Sequence, residues 1–109
     1  MVKMIRDYQT EITKLYYSPK RSLENSQDED KRYEYLLWAY EYLYLHNQLA
    51  YFALKGYIPQ ESTRHFNETF KKSLGMLEKA QFKDQKDKHT FKSLEEWCQR
   101  ESLTADVEI

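Results

Sequence analysis

The sequence predicts an all-α protein, an antiparallel bundle of three long helices and a shorter fourth. Four segments of the 109-residue chain place apolar residues at helical spacing, and none shows sustained alternation of apolar and polar residues. Two glycines and two prolines are too few for the closely spaced turns of a β-sandwich or barrel. We therefore expect a single helical domain over residues 1–103, followed by a frayed tail at 104–109.

The first predicted helix runs from about Val2 to Tyr17, where apolar residues recur every three or four positions. Pro19 ends it, because a proline disfavours α geometry in the residue before it. The polar segment 18–30 that follows is predicted to be a linker or a loosely packed surface loop. The apolar stripe of this helix consists of Met1, Ile5, Tyr8, Ile12, Leu15 and Tyr16.

The second predicted helix is the central one of the bundle. Ser26 and Glu29 have the spacing of a capping box, and Gly56 suits the position just after a helix end. Of the 22 residues that end at Leu54, 17 are apolar or aromatic. Polar residues interrupt every long apolar run, so no transmembrane span is predicted. At helical spacing, one narrow polar strip runs along this helix, and it consists of Glu34, Glu41, Gln48 and Lys55.

The third predicted helix has Pro59 in its first turn, a position that proline tolerates. The short connection 56–58 makes helices two and three antiparallel neighbours. Residues 82–89 then form a charged loop in this interpretation. The apolar stripe of the third helix consists of Phe66, Phe70, Leu74 and Leu77.

The fourth predicted helix is short. Ser93 with Glu96 has the spacing of a capping box, and Thr90 is an alternative cap one turn earlier. Its apolar residues are Phe91, Leu94 and Trp97 or Cys98.

Composition limits the classes of function. The chain carries 17 basic and 18 acidic residues, a formal charge of −1. This balance argues against a dedicated binder of nucleic acid or of an anionic membrane. Cys98 is the only cysteine, which excludes an internal disulfide and a cysteine-based zinc site. The N-terminus has no apolar signal-peptide core, so we expect a protein of the reducing cytoplasm.

Chemistry-bearing residues do not form a recognisable catalytic or metal-binding set. A di-iron bundle needs Glu-x-x-His motifs, and none occurs. Glu61 with His65 shares a helix face, but this pair has no further ligands at fixed spacing. Cys98 adjoins Trp97 on a short amphipathic helix and is predicted to pack in the core. We therefore predict no metal, no cofactor and no enzymatic activity.

Tyrosines along one edge of the second helix are the candidate interaction surface. The apolar arc of this helix spans roughly 240°, well above the ~100° that a core-facing helix usually needs. The first, third and short fourth helices leave part of that arc uncovered. We therefore predict a non-catalytic interaction or regulatory module that binds a protein partner or a second copy of itself. The candidate interface residues are Tyr33, Tyr40, Tyr44 and Tyr51.

Basic residues on the third helix suggest an alternative. They fall within about 100° of one another, opposite the apolar stripe. Such a face is most simply a solvated one, and the functional alternative is a patch for nucleic acid or an acidic protein. The residues are Arg64, Lys71, Lys72 and Lys79.

His46 and Asn47 are polar residues on the apolar central helix. A buried polar group must be hydrogen-bonded, and ten tyrosines in the chain offer hydroxyl partners. A structural bond to a tyrosine is therefore the simpler interpretation. The other interpretation, and the third candidate function, is a tyrosine-lined pocket for an aromatic or planar ligand.

Overall fold

The computed structural model describes residues 2–105, with side chains from residue 5 onward, and over this range it is all-helical. The predicted all-α class is confirmed. Of the predicted tail, residues 104 and 105 are described and non-helical, and 106–109 lie outside the described residues, as does Met1 of the first apolar stripe. The α-helices are α1 (Val2–Tyr16), α2 (Glu29–Leu54), α3 (Gln60–Arg64), α4 (Asn67–Leu77), α5 (Lys83–Asp87) and α6 (Lys92–Arg100), with 3-10 helices at Pro19–Leu23 and Ala80–Phe82.

Helix α2 lies at the centre and packs against α1, α3, α4, α6 and the first 3-10 helix. Its N-cap is Asp28, whose carboxylate accepts the Asp30 N–H at 3.0 Å, rather than the predicted Ser26. The Ser26 hydroxyl instead accepts the Asp28 N–H at 3.2 Å. Gly56 follows the helix end with φ 79°, the left-handed geometry that favours glycine there. The buried face of α2 comprises Tyr35, Trp38, Ala39, Tyr42, Leu43, His46, Leu49, Ala50 and Ala53.

The third predicted helix is interrupted and forms α3 and α4. At Phe66 the backbone adopts φ −95° and ψ 6°, and its N–H donates to the Thr63 carbonyl at 2.9 Å. This bond spans three residues rather than the four of an α-helix, so the helix tightens and breaks at this point. Phe66, at the break, and Phe70, one turn later, are both buried.

Two segments that were predicted to be irregular contain short helices. The polar segment 18–30 includes the 3-10 helix Pro19–Leu23, which the Ser18 hydroxyl caps by accepting the Lys20 N–H at 3.2 Å. The segment 82–89 begins with Phe82, whose side chain is fully buried. It continues as α5, so the charged residues there lie on a helix anchored to the core by an aromatic ring.

Candidate functional site

Three of the four candidate interface tyrosines are exposed on α2. Tyr33 is 62 % exposed, Tyr44 55 % and Tyr51 44 %. Tyr40 is half-buried, with its ring edge-on to that of Phe82 at 5.2 Å. Leu37, which the sequence analysis did not single out, is 53 % exposed beside them. We call these five residues, Tyr33, Leu37, Tyr40, Tyr44 and Tyr51, the α2 tyrosine face.

The α2 tyrosine face is a narrow stripe, and side-chain hydrogen bonds connect one of its edges to α1. At 100° per residue its members fall within an arc of about 60°, over a length of about 27 Å. Gln48 joins the stripe to α1: its Nε2 donates to the Tyr44 hydroxyl at 3.0 Å, and its Oε1 accepts from the Tyr8 hydroxyl at 3.5 Å. Burial, together with the nearby Tyr44, raises the pKa of Tyr8.

The four tyrosines are spaced symmetrically about Tyr42. Tyr40 and Tyr44 lie two residues on either side of it, and Tyr33 and Tyr51 lie nine residues on either side. The four tyrosines therefore keep the same spacing when their order is reversed, whereas the position symmetric to Leu37 is occupied by Asn47. An open groove beside Tyr40 and Tyr44 is lined by these two tyrosines together with Glu41, Asp84, Lys88 and Phe91.

The four candidate basic residues all contact other groups. Arg64 Nε lies 2.8 Å from Glu101 Oε1, and Lys71 Nζ lies 3.3 Å from Glu68 Oε1. The remaining two, Lys72 and Lys79, contact the ring of Tyr16 at 5.7 Å and the carboxylate of Glu24, respectively.

Glu24 forms an ion pair with Lys79, just after the end of α4. Burial acts to raise its pKa, but hydrogen bonds from Lys79 and Tyr35 and the charge of Lys79 outweigh burial and lower the pKa. The ion pair ties the segment after the first 3-10 helix to the residues that follow α4. The charge of Lys79 is therefore paired with a carboxylate of the fold itself.

His46 is fully buried and hydrogen-bonded within the core. Its Nδ1 lies 2.8 Å from the Tyr42 carbonyl, which can only accept, so Nδ1 carries the proton. Its Nε2 lies 2.8 Å from the hydroxyl oxygen of Thr69, which also donates to the Phe66 carbonyl at 2.9 Å. Burial lowers the pKa of His46 to about 4, against the weaker opposing effect of the Tyr42 carbonyl. The side chain that His46 contacts is that of Thr69 rather than the predicted tyrosine hydroxyl.

Asn47 caps helix α6 from another part of the chain. Its Oδ1 accepts the Leu94 N–H at 2.9 Å. The N-cap residue of α6 is Phe91, whose side chain makes no capping bond. Neither Thr90 nor Ser93 is the N-cap residue as predicted, and the side-chain oxygen that bonds to the Leu94 N–H comes from α2.

A second polar cluster, which the sequence analysis missed, joins α3, α4 and α6. Asn67 Oδ1 accepts from the indole N–H of Trp97 at 3.0 Å, and Asn67 Nδ2 donates to Glu101 Oε1 at 3.3 Å. Glu101 also binds Arg64. A buried indole N–H usually has an acceptor, so the sequence could have indicated that Trp97 needs one. Helical periodicity does not indicate which residue provides it.

Cys98 is a buried free thiol, in agreement with its predicted place in the core. Burial, with a smaller effect of Glu95, raises the pKa of Cys98 to about 12. Nucleophilic chemistry uses the thiolate, which such a pKa disfavours at neutral pH.

A cavity of about 340 Å³ opens between the end of α1, the first 3-10 helix, α2 and α4. His46 and Asn47 do not line it, although the Tyr42 ring, which does, lies 4.5 Å from the ring of His46. The sequence analysis missed this site because its walls come from four separate segments. Its aromatic walls are Tyr16, Tyr35, Trp38 and Tyr42.

Comparison of the chain with family models, with curated proteins and with solved structures finds no match. Over the described residues 2–105, no helix is both long and apolar enough to cross a membrane. Within the same residues, no group of three or more His, Cys, Asp or Glu side chains is placed to hold a metal ion.

Proposed function

We propose that this chain is a small non-catalytic interaction module that associates with a second copy of itself through the α2 tyrosine face. The observation that carries the proposal is the exposure of Tyr33, Tyr44 and Tyr51 on one stripe. Tyrosine suits such a position, because its ring buries well against a partner while its hydroxyl remains solvated. It is also enriched at the centres of protein interfaces.

The symmetric spacing favours a second copy over an unrelated partner. In a two-fold, antiparallel pairing of α2 centred on Tyr42, Tyr33 of one copy lies opposite Tyr51 of the other. Tyr40 then lies opposite Tyr44, beside the groove that these two residues line. A tyrosine ring from one copy can enter the groove of the other, and the same contact is made twice.

The charges on α2 agree with the same pairing. Lys55 at the end of the helix would lie opposite Glu29 at its start, because both are thirteen residues from Tyr42. The five residues of the face are uncharged, and Glu41 lines the groove beside Tyr40 and Tyr44. A parallel pairing would instead bring the acidic first turns of the two helices together, which is unfavourable.

We also propose that the helices form an antiparallel bundle, which supports the α2 tyrosine face. Two contacts support it for α1 and α2: the indole N–H of Trp38 donates to the Leu15 carbonyl at 2.7 Å, and the Tyr8 ring lies 6.5 Å from that of Phe52. We also propose a cytoplasmic location, which the buried free thiol of Cys98 supports.

Nucleic-acid binding, the alternative function, has less support. Arg64 and Lys79 each bind a carboxylate of the fold, and Arg64 belongs to a different helix from Lys71 and Lys72. An incoming phosphate would have to compete with these carboxylates. The alternative predicts a steep salt dependence of binding to nucleic acid, which self-association through tyrosines does not.

Register-specific cross-linking tests the proposal. A Tyr33→Cys chain mixed with a Tyr51→Cys chain, treated with a short bifunctional thiol reagent, should give a covalent heterodimer in high yield. Either chain alone is the matched control and should give little, since position 33 does not face position 33. Cys98 is buried and does not compete for the reagent. Equal yields in the mixed and single-variant samples would contradict the proposed pairing.

A further inference from the structure

We propose that Glu41 weakens self-association, because the Glu41 carboxylates of two copies meet beside the two-fold axis of the dimer as a like-charge pair. This inference rests on the proposed pairing through the α2 tyrosine face. That pairing is centred on Tyr42, so Glu41 lies one residue from the centre in each copy. The two Glu41 residues are therefore only about 3 Å apart along the direction of the helix axes.

Glu41 flanks the α2 tyrosine face rather than lying within it. At about 100° per residue, it is about 70° from the middle of the face and about 40° from Leu37, its nearest member. In a two-fold antiparallel pair of helices, the rotation axis passes between the helices and is perpendicular to both, so each flank of one copy lies beside the same flank of the other. Glu41 thus takes the place of the charged residues that border the seam of a coiled coil and determine partner choice.

Among the described side chains, the exposed carboxylate of Glu41 has no partner in a hydrogen bond or an ion pair. Glu41 lines the groove beside Tyr40 and Tyr44, and the one basic residue of that groove is Lys88. Lys88 Nζ lies 3.2 Å from Asp84 Oδ2, so its charge is already paired. The groove therefore contributes an unpaired negative charge next to the axis of the dimer.

The other charged residues of α2 lie too far from the centre to offset this repulsion. The contacts between Glu29 and Lys55 in the proposed dimer are about 18 Å or more from Glu41 along the helix, beyond the Debye length of about 8–10 Å at ordinary ionic strength. Glu34, on the same polar strip, is eight residues from Tyr42, so its two copies are about 24 Å apart along the helix. Within α2, Glu41 is therefore the charged residue that meets its own counterpart.

Mixing two chains that differ at position 41 tests this inference. Each Glu41→Lys homodimer again holds a like-charge pair, whereas a mixed dimer with the unsubstituted chain places opposite charges beside the axis. One chain is labelled with ¹⁵N, and native mass spectrometry of an equal mixture at about 20 mM salt counts the three dimers. Random pairing gives the mixed dimer a share of one half, and we expect a share of about four fifths.

Glu34→Lys is the matched control, because it makes the same change of charge on the same helix but away from the axis. Its mixture with the unsubstituted chain should keep the random share of one half. In sedimentation at the same salt concentration, Glu41→Gln should dimerise about three-fold more tightly than the unsubstituted chain, because the repulsion is removed without a new attraction.

The outcomes separate this inference from the proposed function. Random pairing in the Glu41→Lys mixture, an equal preference in the Glu34→Lys mixture, or unchanged affinity of Glu41→Gln would overturn the role of Glu41 and leave the dimer itself intact. Absence of a dimer in both the unsubstituted chain and Glu41→Gln would instead overturn the proposed function, and this inference with it.

Discussion

The side chain of Asn47 in α2 caps helix α6 by accepting the Leu94 N–H at 2.9 Å. The two residues are 47 positions apart, so this cap is a tertiary contact. The first N–H groups of a helix need acceptors, and the N-cap residue Phe91 provides none from its side chain. Asn47 therefore fixes the start of α6 against the central helix.

Replacement of Asn47 by alanine should lower the free energy of unfolding by about 1–2 kcal/mol, because the Leu94 N–H loses its acceptor. Asn47→Asp should retain most of the stability, since a carboxylate oxygen accepts the same bond near a helix N-terminus. Urea denaturation measures the differences. Ser93→Ala and Thr90→Ala are the controls, and a larger loss in either would show that α6 is capped locally.

The buried His46 should make stability depend on pH in a defined window. Its folded-state pKa is about 4, against 6.5 for the ordinary side chain. Between these values the unfolded chain binds a proton that the folded chain does not, so stability falls as the pH decreases from 6.5 to 4. The loss is about 3 kcal/mol, and this contribution is constant above pH 6.5.

Denaturation of His46→Gln across the same pH range isolates this effect. The variant has no imidazole at position 46, so its stability should change less between pH 6.5 and 4 than that of the unsubstituted chain. His65→Gln, the same change at an exposed histidine, is the matched control for the substitution itself. An unchanged slope in His46→Gln would contradict a buried neutral imidazole.

The bond between Asn67 and Trp97 should contribute measurably to stability. Trp97 is fully buried, so Asn67→Ala leaves its indole N–H without the acceptor it has in the fold. We expect a loss of about 1–3 kcal/mol in thermal or urea unfolding. Arg64→Ala, at the exposed end of the same cluster, should cost less than about 1 kcal/mol. Similar losses for both would mean that the ion pair, rather than the indole bond, holds α6.

Gly75→Ala should stabilise the fold by about 0.5–1 kcal/mol, since alanine is favoured over glycine in a helix interior and Gly75 borders the cavity. Thermal unfolding followed by circular dichroism measures the shift. A destabilised Gly75→Ala would indicate that α4 packs closely at this position and that the cavity does not extend to it.

Much of the helical fold could be predicted because local spacing determines it. The apolar periodicity located α1, α2 and α6 to within a few residues, and Gly56 marked the end of α2. The break at Phe66 was not predicted, since the residues on either side continue one helical pattern. Phe82 was assigned to a loop because its neighbours are charged, although a single ring suffices to anchor a short helix in the core.

The parts of the candidate sites that sequence reasoning missed depend on tertiary contacts. Helical spacing identified the tyrosines of α2 but passed over Leu37, which looks like a core residue in a strongly apolar helix. His46 and Asn47 were recognised as polar residues needing partners, yet those partners, Thr69 and the Leu94 N–H, lie on other helices. The cavity at Trp38 could not be predicted, because its walls meet only when four segments pack.

Size-exclusion chromatography with light scattering tests the central claim, self-association through the α2 tyrosine face. At about 100 µM the unsubstituted chain should approach twice its mass of 13.4 kDa, and the mass should fall on dilution as expected for a reversible dimer. Tyr44→Glu should be monomeric with an unchanged helical circular dichroism spectrum, because it places a charge at the centre of the interface. Tyr17→Glu, at a more exposed tyrosine after the end of α1, should still dimerise. A strictly monomeric unsubstituted chain, a dimeric Tyr44→Glu variant, or unfolding of that variant would contradict the account.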